Sequence, residues 1–225
     1  MEEVSEIFVT AVPESQFIRP ARVHYKQGGE EKTWDLLQMY DTVAVVVFNV
    51  ERKCLVFNKQ FRPAIYYNTV HARDRKDSTD IDVEKYPAEL GISLELCAGM
   101  IEDTDRSPQE IVQAELMEKM GFDVPTTSLQ KIMSYRSGVG IHGALQTLFY
   151  CEVTDAMKVG KGGGINSEII ELVEKSIPEV ERMLLSLGPH PSPPSCMFGI
   201  MWFMQFKAKT YRKSFERYCV ECKYK

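Results

Sequence analysis

The strongest hydrophobic pattern in the chain is an unbroken apolar run at residues 43–48, VAVVVF. A short run rich in β-branched residues is typical of a strand that is buried on both faces. We therefore predict a buried strand at Val43–Asn49. A partner strand is predicted at Lys53–Gln60, across a turn at Val50–Arg52.

Other patterns predict the remaining strands of a sheet. Residues 21–38 indicate a β-hairpin whose turn is formed by Gly28 and Gly29. Residues 168–174 alternate between polar and apolar side chains, which is typical of a half-buried strand. Further strands are predicted at Ile7–Thr10, Leu94–Ala98, Lys131–Tyr135 and Leu145–Val153.

Helices are predicted near the end of the chain, at Ile177–Leu187 and Ser195–Tyr218, on either side of the proline-rich sequence HPSPPS. Residues 71–90 are charged and unpatterned, which favours an exposed loop. Residues 158–166, KVGKGGGIN, predict a flexible loop. Strands that alternate with helices, with one long crossover, favour an α/β fold arranged as an α/β/α sandwich.

A further helix at residues 107–121 carries the most informative chemistry. Ser107 suits the N-cap, Pro108 the first helical position and Glu110 a capping box, while Gly121 suits the C-cap. Glu115 and Glu118 lie three residues apart and therefore project from one face. Two carboxylates on a rigid helix, near the loop that Gly99 opens, can hold Mg²⁺, because this ion takes oxygen ligands and bridges to phosphates.

The length, charge and composition of the chain exclude several classes of protein. The 225 residues suffice for one sizeable domain, and the net charge of −5 argues against general nucleic-acid binding. The first residues show no signal peptide, and no apolar stretch reaches the roughly 18 residues of a membrane span. We therefore expect a cytoplasmic protein without a nucleic-acid or membrane partner. Its six cysteines fit a reducing compartment, and the lone pair Cys219 and Cys222 is interpreted as structural or adventitious.

At residues 99–122 the sequence resembles the Nudix hydrolases, whose signature is G-x5-E-x7-R-E-U-x-E-E-x-G-U, with U an apolar residue. Its second half matches AELMEKMGF (114–122), and Gly99 fits the opening glycine with one extra residue in the loop. Neighbouring segments resemble a narrower group, the UDP-sugar (UDP-glucose) pyrophosphatases. These segments are TVAVVVFN (42–49), CLVFNKQFRPAIY (54–66), ELCAGMIED (95–103), YRSGVGIHGALQTLFYCEVTDA (135–156) and FGIMWF (198–203).

The resemblance implies a domain organisation. It implies a Nudix-type α/β/α sandwich with a mixed sheet at residues 41–206. It also implies a small antiparallel sheet at residues 1–40 that helps to build a homodimer. Residues 207–225 form a basic tail, which we interpret as a solvated helix end.

The resemblance also implies roles for individual residues. Water attacks a phosphorus of a diphosphate, while Mg²⁺, with Mn²⁺ as the alternative, neutralises charge and activates the water. The metal ligands would be the backbone carbonyl of Ala98 and the carboxylates of Glu115 and Glu118. Glu168 would place the water, with Glu171 as a weaker alternative. The substrate-binding candidates are Lys59, Arg62, Tyr135, Ser137 and Gly138.

Three positions depart from the signature. The arginine position is Ala114, the second glutamate of the E-E pair is Lys119, and the loop glutamate falls on Arg106. An ammonium in place of a carboxylate repels a metal and can pair with Glu115, four residues earlier. We therefore expect a metal site that is weak, displaced or absent, unless Glu102 or Asp103 replaces the lost ligand.

Two classes of function follow. The first is an enzyme that hydrolyses a nucleoside diphosphate sugar, such as UDP-glucose to glucose 1-phosphate and UMP, with ADP-ribose as a second substrate. The rival is a binding protein that contacts the diphosphate through Lys119 and does not turn it over. A dimerising scaffold without a small ligand is a third, weaker hypothesis.

Overall fold

The computed structural model describes residues 4, 6–10, 14–15, 18–75, 80–165 and 168–212. Its strands are β1 Arg19–Gln27, β2 Glu30–Gln38, β3 Thr42–Asn49, β4 Cys54–Phe61, β5 Ile92–Glu95, β6 Cys97–Met100, β7 Gln130–Arg136, β8 Leu145–Val153 and β9 Glu171–Ser176. The α-helices are α1 Pro63–Thr69, α2 Pro108–Glu115, α3 Ile177–Leu185, α4 Pro194–Phe206 and α5 Ala208–Arg212. Strands β1 and β2 form a separate hairpin, and the other seven form one mixed sheet.

The apolar run at 43–48 lies at the centre of the sheet, as predicted. Strand β3 pairs in parallel with β8 along its whole length and antiparallel with β4. Alternate side chains of β3 enter two cores. Val43, Val45 and Val47 pack against α2, whereas Ala44, Val46 and Phe48 pack against α3 and α4. Helices therefore cover both faces of the sheet, and the predicted α/β/α sandwich is confirmed.

Strands β3 and β4 diverge beyond their shared turn. Their pairing is restricted to Val47–Asn49 with Cys54–Val56, and β5 and β6 fill the gap that opens beyond it. Strand β5 pairs with β4, and after Leu96 the chain changes partner, so that β6 pairs with β3. The single strand predicted at Leu94–Ala98 is therefore wrong: the partner change divides it. This divergence leaves Ala98 of β6 paired with Ala44 of β3.

The predicted hairpin is present and projects from the domain. Gly28 and Gly29 form its turn with φ of 64° and 88°, a left-handed conformation that suits glycine. Strand β2 also contacts the loop at residues 137–144: the Leu37 N–H donates to the Ile141 carbonyl at 2.8 Å. The Trp34 Nε1–H donates to the Gly140 carbonyl at 3.0 Å.

Several predicted boundaries change. The strand predicted at Ile7–Thr10 is only a bridge between Phe8 and Asp80. The half-buried strand predicted at residues 168–174 begins at Glu171 and is β9. The long last helix ends at Phe206, and α5 follows. Residues 213–225, which include Cys219, Cys222 and most of the basic tail, lie outside the described residues.

The loop predicted at residues 71–90 is not wholly exposed. Ile81 is buried against Tyr66 and Val70, and the hydroxyl of Tyr86 donates to Asp74 at 2.7 Å. A tertiary contact thus orders part of a segment that lacks any local pattern. The cysteines among the described residues, Cys54, Cys97, Cys151 and Cys196, are buried free thiols, as expected for small apolar core residues. None of the described helices is long and apolar enough to cross a membrane.

Candidate functional site

Helix α2 begins as its sequence predicts. The Glu110 N–H donates to Ser107 Oγ, and the Ser107 N–H donates to Glu110 Oε2, which completes the capping box. Pro108 occupies the first turn, and Gly121 ends the helical segment with φ of 69°. These caps fix the start and end of the segment that carries Glu115, Glu118 and Lys119.

The end of this segment is a π-helical turn, Leu116–Met120, rather than the regular α-helix that was predicted. The glycine loop that follows β8 packs against the turn. The Gly163 N–H donates to the Lys119 carbonyl at 2.9 Å, and the Gly164 N–H donates to the Glu118 carbonyl at 3.2 Å. A Cβ at Gly162 would lie 2.5 Å from the Lys119 carbonyl oxygen, so only glycine fits there. The loop predicted to be flexible is therefore hydrogen-bonded to the turn.

Lys119 lies at the centre of the site. Its Nζ donates to the carbonyl of Ala98 at 3.0 Å and lies 3.1 Å from Glu115 Oε2 and 3.4 Å from Glu168 Oε1. The side chains of Lys119 and Glu115 are 13% and 18% exposed, whereas Glu168 is 38% exposed. The structure thus brings three predicted site residues together around one ammonium.

The electrostatics of the cluster follow from this burial. Burial raises the pKa of Glu115, and the charge of Lys119 only partly offsets the effect. Burial lowers the pKa of Lys119, but the carboxylates of Glu115 and Glu168 raise it overall, so the ammonium remains charged. Glu115 Oε2 is buried without a hydrogen bond of good geometry, so its contact with Lys119 is an ion pair only.

The predicted metal ligands do not fit a divalent ion in this arrangement. Mg²⁺ needs oxygen ligands at about 2.0–2.1 Å, but Lys119 Nζ already contacts the oxygens of Ala98 and Glu115. The carboxylate of Glu118 makes no ion pair with Lys119 in the described chain, although its charge raises the pKa of Glu115. Within the described ranges, no group of three or more His, Cys, Asp or Glu side chains is placed to hold a metal.

The acids of the loop before α2 do not supply a replacement ligand. Glu102 and Asp103 are exposed, and Asp103 Oδ1 accepts from the Asp105 N–H at 3.0 Å. The open alternative that one of them restores the metal site therefore gains no support from the structure.

Arg62 follows β4, caps α1 and interacts electrostatically with Glu168 of this cluster. Its Nε and Nη2 donate to the two oxygens of Glu95 at 2.7 Å each, and Gln60 Nε2 donates to Glu95 Oε2 at 3.1 Å. The hydrogen bonds of Glu95 raise the pKa of Arg62, and the charge of Glu168 raises it further. Burial raises the pKa of Glu95, but Arg62 lowers it overall. Since the guanidinium has five N–H donors, Arg62 retains donors for a ligand.

Glu95 was not among the predicted site residues. Its signal in the sequence is an acidic residue inside the short apolar segment SLELCAG, where a carboxylate needs a partner. The side chain of Glu95 is only 9% exposed, whereas Arg62 is 45% exposed. Glu95 therefore acts as a buried anchor that orients Arg62 at the surface of the site.

Lys59 is positioned by the pairing of β4 with β9. Lys59 pairs with Glu171 in register, and their side chains form an exposed ion pair at 3.1 Å. The pairing ends there, and Arg62 and Glu168 lie three residues beyond it, outside both strands. Lys59 therefore lies on β4, three residues before Arg62, but is engaged by Glu171.

The other predicted substrate-binding residues have their contacts elsewhere. The Tyr135 hydroxyl donates to Gln146 Oε1 at 2.8 Å, and its ring packs edge-on against Phe198. The Ser137 N–H donates to the Ala144 carbonyl, and Gly138 has φ of 51° in the same loop. The described contacts therefore do not join these residues to the Lys119 cluster, and their roles stay predictions.

A cavity of about 500 Å³ adjoins Arg62 and was not predicted. His190 contributes an Nε2 that is buried without a hydrogen-bond partner. The proline-rich sequence 190–195 was recognised only as a helix separator, because nothing local shows which strand it covers. The cavity is lined by Arg62, Ala64, Ile65, Glu95, His190, Pro191, Ser192 and Pro193.

The sequence of this chain is similar to those of known proteins over most of its length. The chain is 34% identical over 212 residues to the uridine diphosphate glucose pyrophosphatase of Bos taurus, covering 90% of this chain and 95% of that protein. The corresponding protein of Mus musculus is 32% identical over 215 residues, with the same coverage. A GDP-mannose pyrophosphatase of Cronobacter sakazakii is 28% identical over 145 residues, covering 63% of this chain and 64% of that protein. No family model matches the chain.

Proposed function

The chain belongs to the Nudix hydrolases, in the group of the UDP-glucose pyrophosphatases, and from this premise we propose that it hydrolyses the diphosphate bond of a nucleoside diphosphate sugar. The observation that carries the proposal is the similarity over 95% of a UDP-glucose pyrophosphatase. The site supports it, because Arg62 offers donors for phosphate oxygens within electrostatic reach of the Glu168 carboxylate.

Side chains of the site have proposed roles in the hydrolysis of the diphosphate. A water oxygen attacks one phosphorus, and the bond between that phosphorus and the bridging oxygen breaks. From UDP-glucose the products are UMP and glucose 1-phosphate. Glu168, the more exposed carboxylate, is the candidate to accept the proton of the water, which requires hydrogen-bond contact with it. Arg62, oriented by Glu95, would bind the diphosphate bidentately, and Lys59 would assist as a point charge.

No metal-dependent step enters this mechanism. Mg²⁺ was expected from the resemblance, but the oxygens of Ala98 and Glu115 are engaged by Lys119. A divalent ion would reach them only after Lys119 withdraws. Without such an ion, neutralisation of the phosphate charge falls to Lys119 and Arg62, and we expect turnover to be slow.

The substrate and assembly are further parts of the proposal. Relatives are named for UDP-glucose and for GDP-mannose, so we propose a UDP-sugar first, with other nucleoside diphosphate sugars and ADP-ribose as alternatives. We also propose that residues 1–40 help to form a homodimer around the domain at 41–206, and that 207–225 is a solvated tail. The buried free thiols support a reducing, cytoplasmic location.

The test is release of UMP from UDP-glucose, measured beside GDP-mannose and ADP-ribose. The native chain should turn over UDP-glucose, and Glu168→Gln should lower kcat by about 100-fold or more, since general-base catalysis contributes about 10²–10⁴-fold. Glu84→Gln, at an exposed loop position, is the matched control and should retain the native rate. Absence of turnover of all three compounds, or a native rate in Glu168→Gln, would contradict the proposal.

A second candidate is a protein that binds the nucleoside diphosphate sugar without hydrolysing it. The position of Lys119 favours it, because an ammonium binds phosphate but does not acidify a water molecule as a metal ion does. An increase in melting temperature with UDP-glucose, together with no UMP release, would select this candidate over the enzyme.

A further inference from the structure

We propose that the Lys119 ammonium is a resident cation at the position expected for the metal, so that the chain binds the diphosphate of its ligand without a divalent ion. The inference rests on the proposed recognition of a nucleoside diphosphate sugar. It does not require that the ligand is hydrolysed.

Three oxygens surround Nζ of Lys119. They come from three separate elements: the Ala98 carbonyl on β6, Glu115 on α2 and Glu168 in the segment before β9. Ala98 and Glu115 are the same groups that the resemblance assigned to the metal. The ammonium donates a hydrogen bond to the Ala98 carbonyl and forms ion pairs with the two carboxylates, so that three oxygens lie within 3.0–3.4 Å of Nζ. Lys119 therefore replaces a metal in its oxygen contacts and in the sign of its charge.

Backbone hydrogen bonds fix the position of Lys119. The carbonyls of Glu118 and Lys119 accept hydrogen bonds from Gly164 and Gly163. The turn ends at Gly121, where a Cβ would lie 2.1 Å from the Gly160 carbonyl oxygen. Since the turn is held by the glycine loop and the side chain is mostly buried, the ammonium belongs to the folded site. A divalent ion would have to compete with a bonded cation for the same oxygens.

An anionic ligand would replace the contact between Lys119 and Glu168. Of the three oxygens, Glu168 Oε1 is the most distant from Nζ, and its side chain is the most exposed. A phosphate oxygen that replaced Glu168 Oε1 would also be anionic, so the Lys119 ammonium would keep a negatively charged partner. Arg62, whose guanidinium interacts electrostatically with the carboxylate of Glu168, would supply further donors to the second phosphate. The ligand class that fits two neighbouring cations of this kind is a diphosphate.

The experiment measures binding of a UDP-glucose analogue whose phosphorus atoms are bridged by a methylene group, so that it cannot be hydrolysed. Calorimetric titration of the native chain in EDTA and in Mg²⁺ should give dissociation constants within about twofold. In EDTA, Lys119→Met should weaken binding by about tenfold or more, as expected for loss of a charge-assisted hydrogen bond. Lys131→Met, at an exposed position of β7, is the matched control. Glu168→Gln should bind as tightly as native or more tightly.

The outcomes separate this inference from the proposed function. Binding that requires Mg²⁺, or an EDTA affinity unaffected by Lys119→Met, overturns the inference. If the analogue binds only with Mg²⁺ and UMP is released from UDP-glucose, the enzyme stands and the inference fails. Binding in EDTA without UMP release supports the inference and contradicts hydrolysis. The comparison of the two buffers uses the native chain alone, so it remains decisive if Lys119→Met does not fold.

Discussion

Gly99→Ala is the sharpest perturbation of the site that leaves every charge in place. A Cβ at Gly99 would lie 2.0 Å from Glu115 Oε1 and 2.2 Å from Glu115 Cδ. The carboxylate would have to retreat by more than about 1 Å to reach ordinary van der Waals contact. That movement breaks its ion pair with Lys119, which spans 3.1 Å in the native chain. The glycine is therefore required by the position of Glu115.

The expected change in the free energy of unfolding combines two effects of the added methyl group. Forcing extra atoms into a packed site costs about 1–3 kcal/mol, and alanine recovers a few tenths of a kcal/mol by restricting the unfolded chain. We expect Gly99→Ala to lower the free energy of unfolding by about 2 kcal/mol, measured by urea denaturation. Gly140→Ala is the matched control, because its Cβ would have nothing within 4 Å, and we expect a change below about 0.5 kcal/mol.

A double-mutant cycle isolates the clash with Glu115. In a Glu115→Ala background the clashing atoms are absent, so Gly99→Ala should then cost less than about 0.5 kcal/mol. The reasoning is refuted if Gly99→Ala costs as much in that background as in the native chain. A native-like free energy of unfolding for the single variant would refute it as well.

Two further predictions test the core and the Arg62 anchor. Gly199→Ala should lower the free energy of unfolding, measured in urea, by about 1–3 kcal/mol. The reason is that its Cβ would lie 2.8 Å from Val46 Cγ2 and 2.9 Å from Leu96 Cδ1. An unchanged urea midpoint would contradict the close approach of α4 to the sheet. The lowered pKa of Glu95 stabilises the native chain above the usual value of 4.5, and this stability is lost as the pH falls through the folded-state pKa. In Arg62→Met the buried carboxylate loses its cation, so its pKa should rise above 4.5. The free energy of unfolding should then fall as the pH rises from 4.5 towards the raised pKa. An unchanged pH dependence of urea unfolding from pH 3 to 7 would count against the ion pair.

Local patterns in the sequence predicted much of the fold. Strand β8 has the predicted bounds, and β3 differs from its prediction by one residue. The caps of the segment that carries Glu115 are also confirmed, because a capping box and a C-cap glycine act over three or four residues. The ion pair of Lys119 with Glu115 was expected for the same reason, since the residues lie four apart.

The remaining features depend on contacts that no local pattern records. The change of partner between β5 and β6 follows from the divergence of β3 and β4, which only the assembled sheet determines. The π-helical turn is bonded by a glycine loop about 45 residues later in the chain. Glu168, in the segment before β9, reaches Lys119 of the π-helical turn, and Glu95 of β5 reaches Arg62, which follows β4. Local patterns therefore identified Lys119, Glu168 and Arg62, but they missed Glu95 and the contacts between elements that are distant in the chain.

The measurement that tests the central claim most directly is a titration with Mn²⁺, followed by electron paramagnetic resonance, of the native chain and of Lys119→Glu. We predict that the native chain binds no Mn²⁺ at this site, because Lys119 already occupies the oxygens of Ala98 and Glu115. Lys119→Glu should bind about one equivalent, since the cation becomes a further oxygen ligand. Stoichiometric Mn²⁺ binding by the native chain that is lost in Glu115→Gln would contradict the account.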